Sequence, residues 1–300
     1  MKHRSFVLLA MLLAGGILLA PGAFGAKQLP TMGKHICSLL GGVWTQKKST
    51  CEISSSGSLA RSFTLANGQT LLVDKGVTLN ISPATQVLDL AGAQSGFVNN
   101  GTVNNVGTIS NDGTADGAVI NNGIFNNSGS IAFASPNNGQ LTNQGTFNNS
   151  GNVVSWNLTN GGSLTNTFNL TVEQVLQVAA GGALDNSGTI SAQWKTSIAK
   201  GGSITNESGA TFISLNGAST SFDNHGSLSN LGQFTNYGPF VNEADGALTN
   251  GSGGLLGNYD SIDNFGAVAN SGAINDWCGS TFTNESGSSF NGTPVLPPSC

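Results

Sequence analysis

The chain has 300 residues, of which 8% are charged, 43 are Gly and 35 are Asn, and its formal net charge is −5. Beyond Lys75 the only Lys or Arg residues are Lys195 and Lys200, which excludes nucleic acid as a partner, because phosphate affinity needs clustered cations. Hydrophobic residues make up 38% of the chain, and they recur at regular spacing, which excludes a disordered low-complexity chain despite the glycine content.

At the amino terminus Lys2, His3 and Arg4 precede an apolar run from Phe6 to Ala20, then small residues ending near Ala26. This layout reads as a secretory signal peptide over residues 1–26, with prokaryotic export to the cell surface or the medium. The apolar run is too short for a stable span, and no second one follows, so no transmembrane anchor is expected in the mature chain. Without Lys2 and Arg4 the charge falls to −7.

Residues 27–62 contain HICSLLGGVWTQKKSTCEI (His35 to Ile53) and read as a cap holding a first cysteine pair, Cys37 and Cys51. A second pair, Cys278 and Cys300, lies at the other end. An even count in an exported chain favours disulfides, and local pairing within each couple closes a short loop at each end.

Residues 63–276 are expected to form a repeat domain. Phe63 to Leu90 alternate apolar and polar residues, with Leu65, Leu71, Val73, Val77, Leu79 and Ile81 facing inward. From Phe97 onward a short motif, apolar-x-Asn, recurs at a spacing of about 20–24 residues, the length of one solenoid coil. Its apolar member is Phe97, Val119, Leu141, Leu164, Leu184, Ile204, Leu228, Leu248 and Val268. Two positions after each stands Asn99, Asn121, Asn143, Asn166, Asn186, Asn206, Asn230, Asn250 and Asn270. The same grammar often recurs within a unit at six residues, as in GTVNNV and GQFTNY, giving a second apolar series through Val103, Phe125, Phe147, Ile190, Phe234 and Ile274.

A spacing of two places the apolar residue and the Asn on the same face of a strand. If one is inside, so is the other, and an unpaired buried amide costs about 1–3 kcal/mol. Stacked coils remove that cost, because each Asn donates to its counterpart one coil on and the nine form a ladder. Glycine suits the corners, where the chain needs positive φ or a close backbone approach. A β-meander competes, since Asn100-Gly101 and Asn122-Gly123 are strong hairpin signals. Antiparallel units, however, give no reason for identical side chains to recur at a full-coil distance. The expected fold is therefore all-β, a single-stranded right-handed parallel β-helix, with nine aligned turns making a rod of roughly 45 Å.

Residues 277–300 read as a carboxy-terminal cap, required because open strand edges aggregate. SITNESGATF (Ser203 to Phe212) and TFTNESGSSF (Thr281 to Phe290) are near copies, so repeat character persists into this cap. The GTI/GTF-x-N-x-G units over about Phe63 to Phe290, together with the signal peptide, resemble the right-handed β-helical stalks of bacterial surface adhesins, namely filamentous-haemagglutinin-like proteins and autotransporter passengers. The resemblance implies a structural or adhesive role.

No catalytic, cofactor or metal site is expected. The carboxylates are scattered, with Asp112 and Asp116, Glu243 and Asp245, and Asp260 and Asp263 the close pairs, and all read as solvated corner residues. His225 is the only His in the repeats and has no second ligand at metal spacing. Lys195 and Lys200 flank a stretch near Trp194 where Asn is thin, a patch that reads as a covered strand face or, less simply, a binding surface. The sequence thus points to a non-enzymatic surface, matrix or filament component whose partners are glycans, cell-surface components or a like subunit. The alternative is a β-helical polysaccharide lyase or glycoside hydrolase, which needs clustered carboxylates.

Overall fold

A computed structural model describes residues 29–59, 61–111, 116–133, 139–215 and 220–299. The signal-peptide segment, Asp112 and Cys300 lie outside the described residues, and with Cys300 the expected pairing of Cys278.

Strands of about four residues alternate with tight corners, three strands to a coil. One coil comprises Ala118–Asn121, Ile124–Asn127 and Ser130–Phe133. Each strand pairs in parallel with its counterpart one coil away, so that Val119 lies against Phe97 and Leu141, and Phe125 against Val103 and Phe147. The three strand positions generate three flat faces, called one, two and three in chain order. Face two is an unbroken stack of 12 strands, which at about 4.8 Å per step spans roughly 53 Å. The meander alternative is thereby excluded: antiparallel pairing is confined, among the described strands, to Gly42–Thr45 on Thr50–Ile53 at the amino-terminal end.

Burial follows the period-two pattern. Strands show repeated intermediate-buried alternation, and the inward apolar residues of all three faces merge into one continuous core from Met32 to Ile274. Nine Phe side chains are fully buried in it. At about 25 cal/mol per Å² of apolar surface, such rings supply most of the driving force that a chain so poor in charge can muster.

Faces one and three are joined into one 23-stranded sheet, because two long strands serve both. Asn152–Asn160 and Asn169–Val178 run through the corner without a break, with a register shift between Ser155 and Asn157. This shortens the local coil and changes the ladder. Asn143 is aligned with Asn160 and not with Asn166; Asn166 is aligned with Asn149.

The nine asparagines expected in one ladder therefore belong to two. Asn99, Asn121 and Asn143 lie on face one and continue to Asn160; Asn166, Asn186, Asn206, Asn230, Asn250 and Asn270 lie on face two, preceded by Asn105, Asn127 and Asn149. The second apolar series divides likewise: Val103, Phe125 and Phe147 are on face two, whereas Ile190, Phe234 and Ile274 are on face three. The cause is the six-residue sub-repeat. Adjacent strands within a coil share one grammar, so losing a corner shifts the pattern from one face to the next without disturbing the sequence spacing.

The ladder amides use their full donor capacity. Asn99 Nδ2 donates to Asn121 Oδ1 at 2.7 Å and to the Ile124 carbonyl at 2.9 Å, while Asn99 Oδ1 accepts from the Gly101 N–H at 3.0 Å. On face two the chain of amides runs from Asn105 to Asn270, which donates to the Thr293 carbonyl at 2.7 Å. Asn105 Oδ1 is buried without a partner, because the residue beneath it is Ile81 and offers no donor. Face one restarts a ladder at Asn224, through Asn242 and Asn264 to Asn284. Face three carries a short one, Asn236 to Asn258 to Asp276. Asp276 only needs to accept, which suits a carboxylate at the end of an amide row.

Corner glycines divide into two kinds. A Cβ on Gly123 would lie 2.1 Å from the Gly101 carbonyl oxygen, and one on Gly145 2.1 Å from that of Gly123. These corners, Asn122-Gly123 and Gln144-Gly145, require glycine for close coil-to-coil approach. Gly181 instead has φ of 79° in a wider turn with open space around it, so there the left-handed backbone is the requirement.

At the amino-terminal end the helix Lys34–Leu39 and the strand Gly42–Thr45 close the first coil, burying Met32, Ile36 and Leu40 over the core. The Cys37–Cys51 disulfide ties them down, which fits an oxidising compartment. Parallel pairing starts with Thr50–Ile53 and continues to Leu296–Ser299. No helix among the described residues is long and apolar enough to cross a membrane.

Candidate functional site

The charges that looked scattered in sequence gather on three successive coils of face one. Lys195 and Asp223 occupy outward positions of neighbouring strands, and Lys195 Nζ lies 3.2 Å from Asp223 Oδ2. Ser221 Oγ donates to the other oxygen, Asp223 Oδ1. At the next corner, His225 Nδ1 is 3.0 Å from Asp245 Oδ1, and Lys200 Nζ is 3.8 Å from Asp245 Oδ2. The hydrogen bond from His225 holds the Asp245 carboxyl below the usual carboxylate range, and the Lys200 charge acts in the same direction. Exposure screens this cluster, so each pair contributes little to stability. Trp194 is 42% exposed beside it, and its carbonyl accepts from Thr220 Oγ1 at 2.6 Å.

Of the close carboxylate pairs, Glu243 and Asp245 share the turn that follows Phe240–Asn242. Asp245 faces the Lys200 ammonium and the His225 imidazole rather than a second carboxylate. Asp263 points outward from its strand and Asp260 sits at the preceding corner. Among the described residues no group of three His, Cys, Asp or Glu is placed to hold a metal ion.

The outer surface of face two carries a second type of amide row. Asn104 donates to Asn80 at 2.8 Å, Asn126 to Asn104 at 2.9 Å and Asn148 to Asn126 at 2.8 Å. These bonds point toward the amino-terminal end, opposite to the buried ladder beneath them. A shallow groove runs along the row, edged by Val106, Ser128 and Thr165. Chemically this is a strip of neutral donors and acceptors repeating at the strand spacing.

A third feature was not anticipated from sequence. Five of the six Trp and Tyr residues, Trp156, Trp194, Tyr237, Tyr259 and Trp277, lie along the corner between faces three and one. The Tyr237 and Tyr259 rings stack at 4.7 Å and Tyr259 and Trp277 at 4.9 Å. Partial burial in this stack pushes the Tyr259 phenol up, with Tyr237 a smaller contributor. The available signal was that each of the last three directly follows a face-three ladder residue, Asn236, Asn258 or Asp276.

Neither protein-family models, nor curated proteins, nor solved structures give a match to this chain.

Proposed function

We propose that the protein is a secreted or cell-surface β-solenoid with a structural or adhesive role, of the kind found in adhesin stalks. The observation that carries this reading is the outward Asn80–Asn104–Asn126–Asn148 row on a flat, small-residue face. Neutral amides and hydroxyls repeating at the strand spacing make many weak hydrogen bonds with the hydroxyl groups of a glycan or of another surface polymer, without electrostatic steering. The Cys37–Cys51 disulfide supports export.

The carbohydrate-active alternative attaches to the Lys195, Asp223, His225 and Asp245 cluster, where an imidazole and carboxylates share one edge. Purified protein is tested on a panel of immobilised neutral and acidic polysaccharides, with binding and release of reducing or unsaturated ends followed together. Retention without product, weakened by replacing Asn104 and Asn126 with Ala, is the expected result. Product formation abolished by His225→Ala would instead establish the enzyme.

A further inference from the structure

The chain contains 2 tyrosines in 300 residues, and the fold puts them in contact. Tyr237 and Tyr259 follow directly on the face-three strands Gln233–Asn236 and Leu255–Asn258, which pair in parallel with Asn236 against Asn258. They therefore occupy the same corner of adjacent coils, where the Tyr259 N–H donates to the Asn236 carbonyl at 2.8 Å. Their rings stack with centroids 4.7 Å apart and planes 23° from parallel. A need for packing volume does not account for them: the largest fully buried rings are all Phe, whereas both phenols stand at a corner, each 39% exposed.

Side chains that leave equivalent positions of parallel, in-register strands run in the same direction. The stack thus brings the ring carbons ortho to one hydroxyl alongside those ortho to the other. Trp277 covers the opposite face of Tyr259, with centroids 4.9 Å apart and planes 10° from parallel. The Tyr259 ring also rests over Gly257, where a Cβ would sit 3.5 Å from Cε2. With only hydrogen at that position, the ring has room to swing out of the stack.

We propose that Tyr237 and Tyr259 form an oxidative cross-linking site, joined ring to ring as a dityrosine that straps two adjacent coils. The co-reactants are hydrogen peroxide and a one-electron oxidant of the haem-peroxidase class. Each phenol gives one electron to the oxidant and its hydroxyl proton to water. The two phenoxyl radicals combine through one ortho carbon of each ring, forming a single C–C bond. Each joined carbon then loses its hydrogen as a proton while each oxygen regains one, so the product keeps both hydroxyls and is lighter by two hydrogen atoms. The two electrons and two protons released convert one hydrogen peroxide to two waters. Groups already held in contact react ahead of groups that must meet by diffusion, so coupling within one chain outruns coupling between chains.

The full chain at micromolar concentration is treated with hydrogen peroxide and a haem peroxidase, and blue dityrosine fluorescence, intact mass and peptide mapping are followed together. The expected product is a single chain, two hydrogen atoms lighter, with the Tyr237 and Tyr259 peptides joined and a yield independent of protein concentration. Tyr237→Phe and Tyr259→Phe keep a ring in the stack and should each abolish this product, with circular dichroism verifying that both variants are folded. Hydrogen exchange of the coil between the two tyrosines should slow in the coupled wild-type chain and not in the treated variants. Absence of dityrosine, fluorescence confined to covalent dimers, or a bond from Tyr259 to Trp277 in place of Tyr237 would each overturn the proposal.

Discussion

Replacing Asn143 with Ala removes one rung from a buried amide row, and its cost can be worked from the neighbours. Asn143 accepts from Asn121 Nδ2 at 2.7 Å and donates to Asn160 Oδ1 at 2.7 Å and the Ser163 carbonyl at 2.9 Å. After truncation Asn121 still has the Thr146 and Gly123 carbonyls, at 2.8 and 3.3 Å, for its two amide hydrogens. The loss therefore falls mainly on Asn160 Oδ1, which loses this donor in the buried interior, and less on Ser163 O, a part-buried carbonyl. At about 1–3 kcal/mol for the buried unsatisfied group and about 0.5–1.5 kcal/mol for the other lost hydrogen bond, the total is about 2–4 kcal/mol. Asn284→Ala, at the exposed end of the other face-one ladder, removes an acceptor that water can replace and costs under about 1 kcal/mol. Denaturant unfolding, with hydrogen exchange across the coils to locate the loss, measures both. Equal costs, or an Asn143 variant within about 1 kcal/mol of wild type, would refute the view that the amides are held by one another rather than merely tolerated.

Other expectations follow from the same geometry. Gly123→Ala forces a Cβ against the Gly101 carbonyl and should lower stability by about 1–3 kcal/mol through backbone displacement, visible as lost exchange protection in the coils on either side. Opening the Cys37–Cys51 bridge, which closes a sequence separation of 14, should cost about 3 kcal/mol in the chain-entropy account; exchange should rise first in the Lys34–Leu39 helix. Asp245 should titrate below the ordinary carboxylate range in carbon-detected NMR, and His225→Ala should raise its pKa toward it. Because the folded-state pKa is depressed, the linked stabilisation is present above the unfolded pKa and is lost as pH falls through the folded one.

Much of the fold is legible in the sequence because the apolar-x-Asn motif states two facts at once. Phe97 with Asn99, or Leu228 with Asn230, must share a strand face, and a buried amide repeated at coil length needs a like neighbour. The assignment of Asn166 to follow Asn143 fails for a physical reason: only one residue, Trp156, separates the face-three and face-one segments, the strand runs on, and the six-residue sub-repeat hides the slip. The charged cluster is illegible for a different reason. Lys200, His225 and Asp245 are each separated from the next by a full coil of chain, and such separations signify contact only once the lengths of the intervening coils are known. The stacked Tyr237, Tyr259 and Trp277 suffer from the same dependence. The step from Tyr237 to Tyr259 is longer than that from Tyr259 to Trp277, and the two look unrelated until both are single turns.

The most direct test of the stacked-amide account is a side-chain amide NOE experiment on uniformly labelled protein. Cross-peaks linking the carboxamide protons of Asn143 to Asn160, and of Asn149 to Asn166, with slow solvent exchange at all four, are the outcome required by parallel coils joined through their interior. A contact between Asn143 and Asn166, or rapid exchange of these amides with water, would contradict it.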